Sequence, residues 1–342
     1  MDLHFTMNAT IITTAPGQAD YHLFENLPAY FYPEGVLERC PPSKVNAKFL
    51  EACYLLMDGP VPLGRVALYN NPHLNHEDRK TFCIGNYECN ANGDDAKRLL
   101  DHVFAEAKKK GAEYLIGPMN GSTWDNYRFS LHHDHPEFLM EAHHHLYYNK
   151  QFIDSGFGII AKYFSAIDRK MRHDRAGVLE REKELLAAGM KVRNIDLANY
   201  RQELERLYPF ITHAFSTNFL YTPIEKEAFL EKYLEAQTFI DPDFVTIAEN
   251  KTGEIIGVFF CVQDLLNRNE KHLIVKTIAR HPGKEWAGLG HVMGNEITRR
   301  CVKKNFTGMI HAFLYEQGTS TTISKNFSGE VYKNYALYGK KL

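Results

Sequence analysis

The chain has 342 residues, 44% hydrophobic and 24% charged, with 40 basic against 42 acidic side chains and a net charge of −2. The length is about twice that of a typical domain of ~100–200 residues and the composition fills packed cores, so two globular domains are expected and wholesale disorder is excluded. There is no basic excess to favour nucleic acid or an anionic membrane, and no run approaches the roughly 18 apolar residues of a membrane helix. Met1 to Phe5 lacks the basic start and apolar run of a secretion signal, and the six cysteines are scattered without a CxxC pair. They read as reduced core thiols of a cytoplasmic protein, with no metal.

The first half predicts a strand pair at Tyr54–Met57 and Val66–Tyr69 around the turn-rich Asp58–Gly64. A third strand follows at Thr81–Cys89, and after Asn90-Ala91-Asn92-Gly93-Asp94 comes a helix. Its apolar Ala96, Leu99, Leu100, Val103, Phe104 and Ala107 lie at i, i+3, i+4, i+7 spacing, which lays one stripe on a sheet. Lys108-Lys109-Lys110-Gly111 supplies C-terminal positive charge and a glycine stop. Strands are expected at Tyr114–Ile116 and from Phe157 to Ile167.

Residues 169–189 mix acids and bases and predict a charged connecting helix with a spacer's role. The second half then repeats the order of the first. Phe244–Ala248 and Ile255–Cys261 enclose Asn250-Lys251-Thr252-Gly253, a hairpin signal, and His272–Ile278 is the next strand. A helix from about Leu289, a strand at Met309–Tyr315 and a terminal strand from Val331 to Tyr338 close the unit. Helices joining successive strands make right-handed crossovers, so each half is α/β with a partly parallel sheet.

The sharpest local signal is the loop Arg280-His281-Pro282-Gly283-Lys284-Glu285-Trp286-Ala287-Gly288-Leu289-Gly290 between a strand and a helix. Glycines at a helix mouth allow close backbone approach, the first helix amides have no internal acceptor, and the helix dipole adds positive charge there. Together these features suit a phosphate or pyrophosphate. The sequence here resembles the GNAT superfamily of acyl-CoA-dependent N-acyltransferases, in two tandem copies covering 1–168 and 190–342. In that family a loop of the form (Arg/Gln)-x-x-Gly-x-(Gly/Ala) cradles the CoA pyrophosphate, and Glu285 to Gly290 fall at its spacing, with Glu285 in place of the Arg or Gln.

The resemblance implies CoA contacts from Glu285, Trp286, Ala287, Gly288, Leu289, Gly290 and His291, with the thioester carbonyl on strand amides near Thr277, Ile278 or Ala279. It places the leaving-group acid near Ser324 rather than the usual tyrosine, with Tyr315, Tyr332 or Tyr335 as a substitute. The first copy resembles GNAT domains through Asn86-Tyr87-Glu88-Cys89 and Gly117-Pro118-Met119-Asn120, but its phosphate loop, Asn90 to Asp95, carries one glycine and two acids. It is therefore expected to shape a substrate site or serve as structure.

His311 is a candidate base because imidazole titrates near neutrality, and Glu88 is a second base or amine ligand. Asn120, Ser122, Trp124, Asp125 and Arg128 form a segment dense in hydrogen-bonding groups, as a substrate-lining loop would be. His132, His133, His135, His143, His144 and His145 cluster without metal-ligand spacing and read as an exposed loop. The expectation is transfer of an acyl group, acetyl-CoA or another acyl-CoA being the donor, to an amine of a small molecule by a monomer or homodimer. Two rivals are a non-catalytic protein that keeps the fold, and a Fem-type transferase drawing an aminoacyl group from tRNA.

Overall fold

In the computed structural model, which describes residues 9–318 and 329–342, the chain forms two compact units, Met1–Lys162 with Tyr335–Leu342, and Tyr163–Asn334. The first unit begins with β1 (Thr10–Thr14) and three short helices, α1 (Tyr21–Asn26), α2 (Pro28–Phe31) and α3 (Glu34–Arg39). Then come β2 (Leu50–Asp58), β3 (Val61–Tyr69), β4 (Asn75–His76), β5 (Arg79–Cys89), α4 (Gly93–Lys109), β6 (Tyr114–Gly117), β7 (Phe129–Ser130), α5 (Tyr147–Asp154) and β8 (Gly158–Asp168). The α4 stripe buries all six predicted residues against Tyr54, Leu56, Val66, Leu68 and Leu115 of the sheet. Asn92 caps this helix by accepting from the Asp94 amide, and Asp94, Asp95, Lys108 and Lys109 complement its dipole.

The second unit adds α6 (Ala176–Ala187), β9 (Lys191–Asn194), α7 (Tyr200–Phe215), α8 (Lys226–Leu234), β10 (Val245–Glu249), β11 (Ile255–Gln263), β12 (His272–Arg280), α9 (Leu289–Lys303) and β13 (Gly308–Tyr315), and the last strand, β14 (Glu330–Lys341), belongs from Tyr335 onward to the first unit. Its sheet runs β8-β13-β12-β11-β10-β9, the β8 share being Tyr163–Asp168. Successive strand residues face opposite ways. Phe259 packs in the core under α9, with Leu289, Val292, Met293 and Ile297, whereas Phe260 meets Tyr233 of α8. A close approach at Gly257 seats α9 on β11: a Cβ there would lie 2.7 Å from Met293 Sδ and 3.0 Å from Leu289 Cδ2.

Two expectations about organisation are corrected. The C-terminal strand does not complete the second unit: Tyr338–Lys341 pair antiparallel with Tyr114–Gly117, and Tyr335 and Ala336 pair with Ser130 and Phe129. The physical reason is an apolar run, Tyr335 to Tyr338, that is almost wholly buried beside β7 and the end of β6. The boundary after residue 168 also shifts, because Ala166–Asp168 of β8 pair with Met309–His311 of β13. Cys53, Cys83, Cys89, Cys261 and Cys301 are buried thiols.

Candidate functional site

In the second unit the parallel ladder between β12 and β13 is short. It pairs His272–Val275 with Gly308–His311 and stops, while both strands run on. The register of β12 against β11 shifts at the same point, with Cys261 opposite Val275 and Phe260 opposite Thr277, so Lys276 is the extra residue of a bulge. The strands therefore split from Val275 and His311 onward, and among the described residues the β12 edge carrying Thr277, Ile278 and Ala279 has no ladder partner on the β13 side. At the base of the split lies a small cavity of about 10 Å³ lined by Val275, Ile278, Met309, His311 and, from α9, Gly294 and Ile297.

The predicted anion loop leads into α9. Residues Lys284–Trp286 form one 3-10 turn, and Gly288 caps the helix at φ +85°, a left-handed conformation that glycine adopts without strain. The His291 and Val292 amides both turn back to the Gly288 carbonyl, whereas the Leu289 and Gly290 amides precede any helical acceptor. The Glu285 carboxylate folds back over Gly283, its carboxyl carbon 2.6 Å from where a Cβ would stand. Arg181 of α6 donates from Nε to the Ala287 carbonyl (2.8 Å) and from Nη2 to the Glu285 carbonyl (2.5 Å). A guanidinium is donor-only, so it adds positive charge at this helix mouth without occupying the amides. The 169–189 segment is thus more than a spacer: α6 is clamped to α9, with Arg299 bonded to Asp174 (2.6 Å) and Glu182 (3.0 Å).

Among the predicted catalytic groups, His311 is buried and burial pushes it down to about 4, so it is neutral at pH 7. The Tyr315 hydroxyl donates to Gln317 Oε1 (3.2 Å), and its ring stacks on Phe219. Ser324 lies outside the described residues. Lys276, which sequence reasoning passed over, holds its ammonium 4.7 Å from the Tyr233 ring and 5.8 Å from that of Phe260. Burial, with a smaller contribution from Lys232, pushes it down to about 8. A lysine inside the apolar run Leu273–Ile278 was the available signal.

The first unit holds a separate constellation. Glu88 Oε2 accepts from Tyr32 (2.5 Å) and Tyr148 (2.7 Å), while Oε1 stands 3.7 Å from Arg65 Nη2. Burial raises the Glu88 pKa, opposed by Arg65 and the two hydroxyls. Arg65 Nη1 donates to the Phe24 carbonyl (2.7 Å), and burial lowers the guanidinium pKa. Tyr32, Arg65 and Glu88 line a pocket of about 80 Å³ together with Asn86, Asn120, Arg128 and His143. Of the predicted substrate loop, Asn120 and Arg128 reach this pocket and Ser122, Trp124 and Asp125 do not. Ser122 Oγ donates to Asp125 (2.9 Å) and accepts from the Trp124 amide (3.2 Å), fixing the turn itself.

The histidine-rich stretch is not simply an exposed loop. His144 is buried, accepts from the Ser130 amide (2.9 Å) and is pushed down to about 3 by burial, while His145 stacks on Tyr32. At the start of α4, Asn90 bonds Asp95 (2.8 Å) and accepts from the Asn92 amide (3.1 Å). The helix mouth is therefore filled by its own polar side chains.

Neither a family model nor a curated protein matches the sequence. Solved structures do match its shape. The chain is similar to the GCN5-related glucosamine N-acetyltransferase region of a fungal multi-domain GH3 β-N-acetylglucosaminidase, with 11% identity, a TM-score of 0.59 and coverage of 97% of this chain but 38% of that one. It is also similar to a tandem GNAT protein from the clavulanic acid biosynthesis pathway, with 12% identity, a TM-score of 0.53, and 97% and 98% of the two chains covered. A third likeness is to a conserved protein of unknown function from Enterococcus faecalis V583, a probable N-acyltransferase, at 9% identity and a TM-score of 0.53, covering 97% of this chain and 73% of that one. The fold is that of the GNAT proteins, mixed α/β. In the tandem protein the likeness extends over nearly the whole of both chains.

Proposed function

We propose that the chain is an acyl-CoA-dependent N-acyltransferase whose donor site lies in the second unit. One observation carries the reading: a glycine-capped helix, whose first two amides precede any helical acceptor, stands at a strand split that follows a bulge at Lys276. In this reading the Leu289 and Gly290 amides, with the dipole of α9 and Arg181, receive the pyrophosphate of CoA. Val275, Ile278 and Met309 offer apolar surface to the thioester arm.

The reaction needs an amine nitrogen to attack the thioester carbonyl carbon, the carbonyl π pair to move onto oxygen, and collapse to expel a thiolate. In this reading an amide of the β12 segment Thr277 to Ala279 receives the oxyanion. Lys276 suits the proton acceptor better than His311: an amine titrating near 8 takes a proton from the incoming ammonium, whereas an imidazole near 4 is too weak a base. Nitrogen loses two protons in all: the first passes through Lys276 to solvent, and the second, released as the amide forms, ends on the departing thiolate.

Calorimetric titration with acetyl-CoA and CoA tests the donor site. Binding is expected in the micromolar range and is lost in Gly288→Glu, which puts a carboxylate and an unfavourable φ at the helix mouth. Absence of binding by the folded wild type refutes the reading.

A further inference from the structure

The pocket of the first unit is not used by that chemistry, and the strand edge beside it is already spent within the protein. β5 and β6 pair in parallel at Thr81–Cys83 and Tyr114–Ile116, and there the ladder stops. The loop after β6 fills the gap: the Met119 amide donates to the Ile84 carbonyl (2.7 Å), and Asn120 Oδ1 accepts from the Asn86 amide (2.9 Å). Gly85 permits this seat, since a Cβ there would stand 2.6 Å from the Met119 carbonyl oxygen and closer still to Asn120 Oδ1. The Asn86 side chain accepts from the Tyr69 hydroxyl and donates to the Ser43 carbonyl (2.7 Å). Arg128 lies on the Tyr127 ring, 3.7 Å from its centre, and donates to the Tyr127 carbonyl (3.0 Å). These walls are fixed by the protein's own bonds before any ligand arrives, which lowers the entropic cost of binding.

We propose that this pocket binds a small neutral polyol, two adjacent hydroxyls on Arg65 and Glu88 and a third accepting from Asn120. Arg65 and Glu88 are both buried and both line the cavity. Glu88 Oε2 accepts from the Tyr32 and Tyr148 hydroxyls, and Arg65 Nη1 donates to the Phe24 carbonyl. The remaining atoms of the pair, Oε1 and Nη2, stand 3.7 Å apart, longer than a hydrogen bond, and have no hydrogen-bond partner among the described residues. Two neighbouring hydroxyls of a diol face such a pair side by side, one accepting from Nη2 and the other donating to Oε1. Asn120 spends its carbonyl oxygen on the Asn86 amide, which turns its NH₂ group into the donor that remains.

The closeness of the two charges is what selects a neutral ligand. An ammonium brought to Glu88 Oε1 meets the Arg65 guanidinium, and a carboxylate brought to Arg65 Nη2 meets Glu88. Either ion would give up its hydration to a buried pair that already balances itself. Hydroxyls donate and accept without charge, so they satisfy both atoms and leave that balance intact. At about 10–15 Å³ per water, the 80 Å³ cavity holds roughly five to eight water-sized units, the size range from glycerol to erythritol. Val36 and Phe129 supply apolar wall for the carbon chain.

The test is calorimetry on the full chain, purified without glycerol, with glycerol, erythritol and threitol, each up to about 10 mM, a range that detects even millimolar affinity. Glycerate, 3-amino-1,2-propanediol and serine bring a negative charge, a positive charge and both, at similar size, and 1,3-propanediol removes the adjacent hydroxyls. At least one polyol is expected to bind, with each of these four analogues at least about tenfold weaker than the best polyol. Ala142→Phe, at an exposed position on the pocket wall, fills the cavity without touching the polar pair and is expected to weaken polyol binding by at least about tenfold. Glu88→Gln leaves the Arg65 charge unbalanced and is expected to strengthen glycerate binding by at least about tenfold. Should Glu88→Gln fail to fold, Ala142→Phe and the analogues still decide the matter. The proposal is overturned if no polyol binds the folded wild type, if any of the four analogues binds as tightly as the best polyol, if binding survives Ala142→Phe, or if a folded Glu88→Gln variant binds glycerate no better than the wild type. None of these outcomes depends on acyl-CoA.

Discussion

Acid should destabilise this protein through two histidines that it buries uncharged. His311 is 4% exposed and pushed down to about 4, and His144 is 6% exposed and pushed down to about 3, burial being the first cause in both. In an unfolded chain the imidazole titrates near 6.5. Both folded values lie below the unfolded one, so on acidification the unfolded chain takes up protons that the folded chain refuses. Stability therefore falls as pH drops below about 6.5 and stops falling on this account near each folded value. From pH 7 to pH 5 the difference in proton binding withdraws about 2 kcal/mol per histidine.

Urea unfolding at pH 7, 6 and 5, followed by circular dichroism, measures this for the wild type and for His311→Gln and His144→Gln. Carboxylate contributions are common to all three proteins and cancel in the comparison. Each variant should lose about 2 kcal/mol less than the wild type over the interval. Parallel pH curves would refute the reasoning, and for His311 would restore it as a candidate base.

Gly257→Val puts methyl groups where Met293 Sδ and Leu289 Cδ2 already stand, at 2.7 and 3.0 Å from a Cβ. It should cost about 1–3 kcal/mol and weaken acetyl-CoA binding by shifting the first turn of α9, read by thermal unfolding and calorimetry. Lys276→Met removes a buried ammonium whose pKa is lowered to about 8. Below that pH the charged form is penalised in the fold, so the variant should be more thermostable at pH 7, and it should lose the limb of kcat/KM that rises towards pH 8. A rate profile identical to the wild type's removes Lys276 from the mechanism.

The elements and the glycine-rich helix mouth could be read from the sequence because their signals are local. The α4 stripe, the Asn250–Gly253 turn and the Gly288 cap each depend on residues within a few positions of one another. Strand partners depend on distant residues. Nothing within Tyr335–Tyr338 says that it will lie beside β7 and the end of β6 rather than close the second unit, since an apolar strand fits any buried slot. The same limit hid Arg181, whose carbonyl partners are more than a hundred positions away, among neighbours that look like an ordinary solvated helix. Arg65, Asn86 and Lys276 did leave a trace: each interrupts an apolar strand, where a polar group needs a partner or a task.

Hydrogen–deuterium exchange with and without CoA addresses the donor site most directly, because it reports on the backbone amides themselves. The account predicts slowed exchange in the peptide spanning residues 285–293, centred on Leu289 and Gly290, with a smaller effect at residues 276–280. Saturating CoA that leaves residues 285–293 exchanging at their original rate, or that protects the α4 mouth at residues 90–95 instead, would contradict it.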